Sequence, residues 1–200
     1  GSQDRSYVAW GTGFFDGDND GDLDLFIANG HTYPEADMPR ANSSYKQRNS
    51  LFENKQEHFF SVGDKAGPGL EVREVSRGTA FGDYDNDGDI DIFVVNLNAP
   101  PTLLRNEHKG NNSVSFRLIG VISNRDGVGA RITSFSQGLK QEFEVQSGSS
   151  YLSHNDFRIH NGLGKLTNID SVEVRWPSGI NQVLYDIRAN QNLDIIEKIE

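Results

Sequence analysis

The sequence predicts an all-β chain, and three observations carry that prediction. Its apolar stretches are short, β-branched and aromatic residues alternate with polar ones, and no ten-residue segment shows helical periodicity. A segment built around the run Asp16-Gly17-Asp18-Asn19-Asp20-Gly21-Asp22-Leu23-Asp24 returns 67 residues later around Asp83-Tyr84-Asp85-Asn86-Asp87-Gly88-Asp89-Ile90-Asp91. From about Asn112 onward the repeat stops, and strand-like runs alternate with Gly-containing turns.

The first repeat unit opens with Gly11-Thr12-Gly13-Phe14, passes through its aspartate loop, and continues as Leu25-Phe26-Ile27-Ala28-Asn29 and Leu51-Phe52-Glu53-Asn54. The second has Gly78-Thr79-Ala80-Phe81, then Ile92-Phe93-Val94-Val95-Asn96, then Leu103-Leu104-Arg105-Asn106, the last at an offset of 52. The first unit therefore holds about fifteen extra residues between Gly30 and Arg48, rich in Pro, Asn, Ser and charge, which reads as an exposed loop. Each unit reads as strand, metal loop, strand, strand, and short-stranded repeats of this size predict β-propeller blades. Two blades cannot close a ring. The expectation is a partial β-propeller that ends a longer one, or packs on the C-terminal part or on another chain, with open blade edges that invite self-association.

The C-terminal part carries strand-like runs at residues 114–122, 130–136, 139–146, 157–160, 171–176, 182–187 and 193–199. Asp126-Gly127, Gln137-Gly138, Ser147-Gly148, Asn161-Gly162 and Pro177-Ser178-Gly179 read as the turns between them. Seven short strands at this spacing predict an antiparallel β-sandwich-like domain. The expected division is 1–4 as a cleavage scar (Gly1-Ser2) and linker, 5–112 as blades, and 113–200 as the C-terminal β domain.

Five aspartates at alternate positions in nine residues repel one another unless a cation sits among them. Calcium takes six to eight hard oxygen ligands in tolerant geometry, whereas magnesium retains waters and demands a stricter octahedron. Positions 1, 3, 5 and 9 of the first loop assign Asp16, Asp18, Asp20 and Asp24 as side-chain ligands, with the carbonyl of Asp22 and with Gly21 at the bend. The second loop assigns Asp83, Asp85, Asp87 and Asp91, the carbonyl of Asp89, and Gly88. Two Ca2+ sites are expected. An EF-hand would need a bidentate Glu at position 12, and those positions are Ile27 and Val94.

The loops hold ten of the 29 acidic residues, so outside them 19 acids face 19 Lys plus Arg, and the net charge of −10 belongs to the loops. No basic patch suggests nucleic acid. No apolar run approaches the ~20 residues of a membrane-spanning helix. The absence of cysteine excludes disulfides, thiolate metal sites and cysteine nucleophiles. His31, His58, His108, His154 and His160 are scattered without zinc spacing, no G-x-S-x-G elbow occurs, and metal-bound carboxylates make poor general acids. The chain is not expected to be an enzyme. Asn42-Ser43-Ser44 and Asn111-Asn112-Ser113 match the glycosylation sequon. Trp10, Tyr33, Tyr151 and Trp176 are candidates for stacking on sugars, the two tryptophans being better placed for core packing.

The segment Arg77 to Asp91 resembles the FG-GAP/VCBS repeats of integrin-α-like propellers. The C-terminal part is similar to the ASPIC/UnbV domain that follows such repeats in bacterial proteins and in cartilage acidic protein. Asp126-Gly127-Val128-Gly129-Ala130-Arg131, Ser147 to Ser153, Asn155-Asp156, Gly162-Leu163-Gly164 and Val174 to Gly179 carry that likeness. Phe15 stands where the second unit has Gly82, and Asn161 where an aromatic is usual. The resemblance implies a secreted, extracellular or periplasmic calcium-dependent module for cell adhesion or protein interaction, its partner an unknown protein or glycan. The alternative expectation is a carbohydrate-binding or carbohydrate-processing accessory module.

Overall fold

The computed structural model describes residues 6–38 and 42–199. The expected N-terminal scar and residues 39–41 of the insertion lie outside the described residues. Sixteen strands and no α-helix occur among the described residues.

In the first blade, β1 (Ala9–Phe15), β2 (Asp24–Asn29), β4 (Ser50–Lys55) and β5 (His58–Ser61) pair antiparallel in the order β1-β2-β4-β5. In the second, β7 (Ser76–Gly82), β8 (Asp91–Asn96) and β9 (Thr102–Leu104) pair in the order β7-β8-β9. The repeat reaches down to register: Phe15 faces Asp24 and Gly82 faces Asp91, and both pairs of strands carry a bulge, at Ala9/Thr12 and at Ser76/Thr79. Two short strands, β3 (Gln47–Arg48) in the insertion and β6 (Arg73–Glu74), tie the units together. The remainder of the insertion includes a 3-10 turn at Pro34–Asp37 and the exposed ring of Tyr33.

Alternation sends one face of each blade into a shared core of Phe15, Phe26, Ala28, Leu70, Phe81, Ile90, Ile92 and Val94. Phe81 packs on Phe15 with ring centroids 5.3 Å apart and on Phe26 at 6.3 Å, edge-on. Each such ring contributes about 1.5–3 kcal/mol by leaving water. The opposite faces stay exposed, at Phe14 and Phe59 on the first blade and at Phe93, Val95 and Leu103 on the second.

The C-terminal domain is a two-sheet sandwich. One sheet has β13 (Ile159–Gly164), β10 (Asn112–Ile119) and β16 (Gln191–Ile196) in the order β13-β10-β16. The other has β12 (Leu139–Glu144), β11 (Arg131–Ser136), β14 (Asn168–Arg175) and β15 (Asn181–Arg188) in the order β12-β11-β14-β15. Their inner faces close over Phe116, Ile132, Ile169, Val172, Ile195 and Trp176. Trp176 is 1% exposed and its indole N–H donates to Gln182 Oε1 at 3.3 Å.

In this domain two details depart from the sequence reading. β16 runs parallel to β10: the chain crosses to the other sheet as β11 and β12, returns antiparallel as β13, crosses again as β14 and β15, and re-enters on the far side of β10 in its original direction. Asn161-Gly162, read above as a turn, lies inside β13, where the glycine serves a close approach described below.

The blades pack on the C-terminal domain. Trp10 stacks against Tyr151 at 4.9 Å while the Arg77 guanidinium lies 4.4 Å over the Trp10 ring. The Thr12 amide donates to Ser150 Oγ, the Phe81 amide to Asn155 Oδ1, and the Asp156 amide to the Phe81 carbonyl.

Candidate metal centres

The aspartate loops join β1 to β2 and β7 to β8, and their backbones are near copies. Asn19 and Asn86 have φ of 59° and 61°, while Gly21 and Gly88 have φ of 96° and 93°. Asparagine is among the few side chains that visit the left-handed region, and glycine alone does so without strain.

This path turns amides inward. Asp16 accepts from the Asp20 and Gly21 amides at 3.1 and 3.0 Å, and Asp83 from those of Asp87 and Gly88, both at 3.1 Å. The last aspartate closes each loop: Asp24 accepts from the Gly17 amide at 3.0 Å, Asp91 from the Tyr84 amide at 3.2 Å. From across the sheet, the Asn54 amide reaches Asp24 and the Asn106 amide reaches Asp91, each at 2.8 Å. Those two asparagines end the matched segments at the 52-residue offset.

Two groups of carboxylates could hold a metal ion. Oxygens of Asp16, Asp18 and Asp20 lie within 4.8 Å of one another, as do oxygens of Asp83, Asp85 and Asp91. Asp24 and Asp87 are absent from these groups. Two amides hold Asp24, as their counterparts hold Asp91, and Arg105 Nη2 lies 2.9 Å from Asp85 and 3.6 Å from Asp87, so neither contact accounts for which aspartates gather. The carboxylates of Asp22 and Asp89 also stand apart, and Asp89 accepts from Asn19 Nδ2 at 2.8 Å. A donor set of hard carboxylate oxygens, pre-ordered by amides, fits a hard divalent cation.

The electrostatics express the same demand. Burial, with Asp20, Asp18 and Asp24 adding like charge and the Gly21 amide opposing, pushes the Asp16 carboxyl up to about 7. Burial pushes Asp24 up to about 6, against the Asn54 and Gly17 amides. Burial first and a neighbouring aspartate second also raise Asp18, Asp22 and Asp89; Asp91 is raised mainly by burial. The charge reverses at one aligned position beside the sites, where Glu53 in the first unit corresponds to Arg105 in the second.

The C-terminal domain reaches both loops, which the spacing of the aspartates could not reveal. His160 Nε2 lies 2.6 Å from Asn19 Oδ1, and Arg158 Nη1 donates to Asn86 Oδ1 at 2.7 Å. Burial, and secondarily Arg158, pushes the His160 imidazole down to about 4, so the ring is neutral and donates through Nε2. A β-carbon at Gly162 would lie 1.8 Å from Asp16 Oδ2.

Residues 16–94 match the family model described as an FG-GAP-like repeat, and residues 120–200 match that of ASPIC and UnbV. β10, the central strand of the three-stranded sheet, lies outside both matches. No curated protein matches the chain.

Proposed function

We propose that this chain, an FG-GAP-like repeat region followed by an ASPIC/UnbV domain, is a calcium-binding β-repeat module for adhesion or protein interaction outside the cytoplasm. The observation that supports it is the pair of loops with one hydrogen-bond plan, each gathering three carboxylates. Asp16, Asp18, Asp20 and Asp24 with the Asp22 carbonyl would hold one ion; Asp83, Asp85, Asp87 and Asp91 with the Asp89 carbonyl would hold the other. The ion supplies the positive charge that lets the carboxylates converge, and so holds two strands of a blade together. No group in the chain is assigned to catalysis. The exposed apolar faces at Phe14, Phe59, Phe93 and Leu103 are the surface available to a partner. A sugar-binding reading draws on one observation, Tyr33 standing 66% exposed in the insertion, and a glycan array tests it.

Calorimetry should count two calcium ions on the wild-type chain and one on Asp18→Asn or Asp85→Asn. Calcium at about a hundredfold over Kd should raise the melting midpoint by roughly 5–10 °C per site, reversed by chelator. A chain that binds no calcium under these conditions contradicts the proposal. Arg105→Ala should tighten the second site by about two- to fivefold, because an exposed ion pair no longer competes for Asp85 and Asp87. The first site should not change.

A further inference from the structure

We infer that the cation loops and the joint between blades and C-terminal domain form one linked equilibrium, read out by the outer face of β13. This rests on cation binding by the loops, and it assigns the ions a role between domains rather than only within a blade.

β13 has two faces. Ile159, Asn161 and Leu163 point into the sandwich, where all three are buried. Arg158, just ahead of the strand, and His160, Gly162 and Gly164 in it alternate onto the other side, which lies across both loops. Each of the four has a defined contact there. Arg158 meets Asn86 at 2.7 Å and also donates to the Asp83 carbonyl. His160 meets Asn19 at 2.6 Å. Gly162 leaves room for Asp16, and the Gly164 amide donates to the Asn19 carbonyl at 2.7 Å. Asn19 and Asn86 are the same position of the repeat, so two side chains spaced two residues apart read equivalent points of the two loops.

The loops are two-sided. Their amides turn inward to carboxylates, while several carbonyls turn outward to side-chain donors. Asn106 reaches the Gly17 carbonyl at 2.7 Å, Asn111 that of Asp18 at 2.8 Å, Gln141 that of Gly21 at 3.0 Å, and Ser113 that of Gly88 at 2.9 Å. The outward pattern exists only while the inward one holds, and the inward one depends on convergent carboxylates. Asn19 joins all three parts: its Oδ1 faces His160, its Nδ2 donates to Asp89 of the other loop, and it is 3% exposed. Whatever fixes the loops therefore favours docking of β13, and docking must favour the ion by the same factor.

The test uses the full chain. Hydrogen exchange in residues 158–164 should slow about tenfold when calcium is added to the wild type. His160→Ala, which touches no carboxylate, should weaken the first calcium site roughly tenfold, and His160→Gln, which restores an N–H donor, should recover part of that loss. The His160→Gln comparison and the wild-type exchange carry the test if His160→Ala fails to fold. Two ions bound with affinities indifferent to His160, and exchange in 158–164 indifferent to calcium, would overturn the linkage while leaving the calcium sites intact. A wild-type chain that binds no calcium overturns the calcium reading itself.

Discussion

Glu197→Gln should lower the stability of the chain by about 3 kcal/mol, a fall of roughly 6–12 °C in melting midpoint for a chain of this size. Glu197 is 2% exposed and follows the last strand of the sandwich. Its Oε2 accepts from the amides of Val121, Ile122 and Ser123 at 2.8, 2.8 and 2.7 Å. Its Oε1 accepts from the hydroxyls of Ser123 and Ser178 at 2.8 and 2.5 Å. Burial alone would raise this carboxyl, but those donors overcome it and hold it at about 2. One carboxylate thus closes the loop after β10 and the turn after β14 onto the C-terminal strand. Glutamine keeps the shape but turns an amide toward donors, leaving buried N–H groups unpaired. Glu173→Gln, on an exposed face of β14, is the control and should stay within about 0.5 kcal/mol of wild type. Equal melting of the two variants would show that the Glu197 network contributes nothing.

Nothing in the sequence marks Glu197, an acid among Ile195, Ile196, Lys198 and Ile199 without motif or periodicity. The aspartate loops were legible because charge at period two is so costly that it implies its own counter-ion. The flanking strands were legible because their apolar residues alternate. Partner identity was not. Asp24 and Asp87 have the same spacing as their neighbours, yet their oxygens stand outside the two groups, while those of their repeat counterparts Asp91 and Asp20 stand inside. β5 was invisible because its hairpin turns through Gln56 and Glu57, both at positive φ, where a turn motif would show Asn or Gly. Gly162 reads as a turn residue in sequence, but in β13 it clears a path for a loop about 140 residues away. Asn19 and Asn86 were visible as part of the repeat, and their role required the second domain to be in place.

The chelated chain should be most stable near pH 4 and should lose stability from there toward pH 8. Asp16 titrates at about 7 in the folded chain against an ordinary value of 3.8, and Asp24 at about 6, both chiefly through burial. A raised carboxyl binds its proton more tightly when folded, so the folded state loses ground as pH rises from about 4 through 7 and the penalty is complete above that. For Asp16 the difference corresponds to on the order of 4 kcal/mol, or roughly 10 °C in melting midpoint. Glu197 sets the acid side with the opposite sign: its stabilisation is present above its ordinary value of 4.5 and is lost as pH falls through about 2. Calcium replaces the proton in the loops, so saturating calcium should abolish the decline between pH 5 and 8. Its stabilising effect should accordingly be larger at pH 8 than at pH 5, and binding should release protons in between. Asp16→Asn removes the group with the larger shift, so the chelated variant should keep only the smaller decline that Asp24 contributes up to about pH 6. Melting curves at pH 5, 6, 7 and 8, with calcium and with chelator, check all of these signs. A chelated wild-type chain with a flat profile would mean that the carboxylates spread apart into solvent without the ion. In that case the loops would take their observed shape only when loaded.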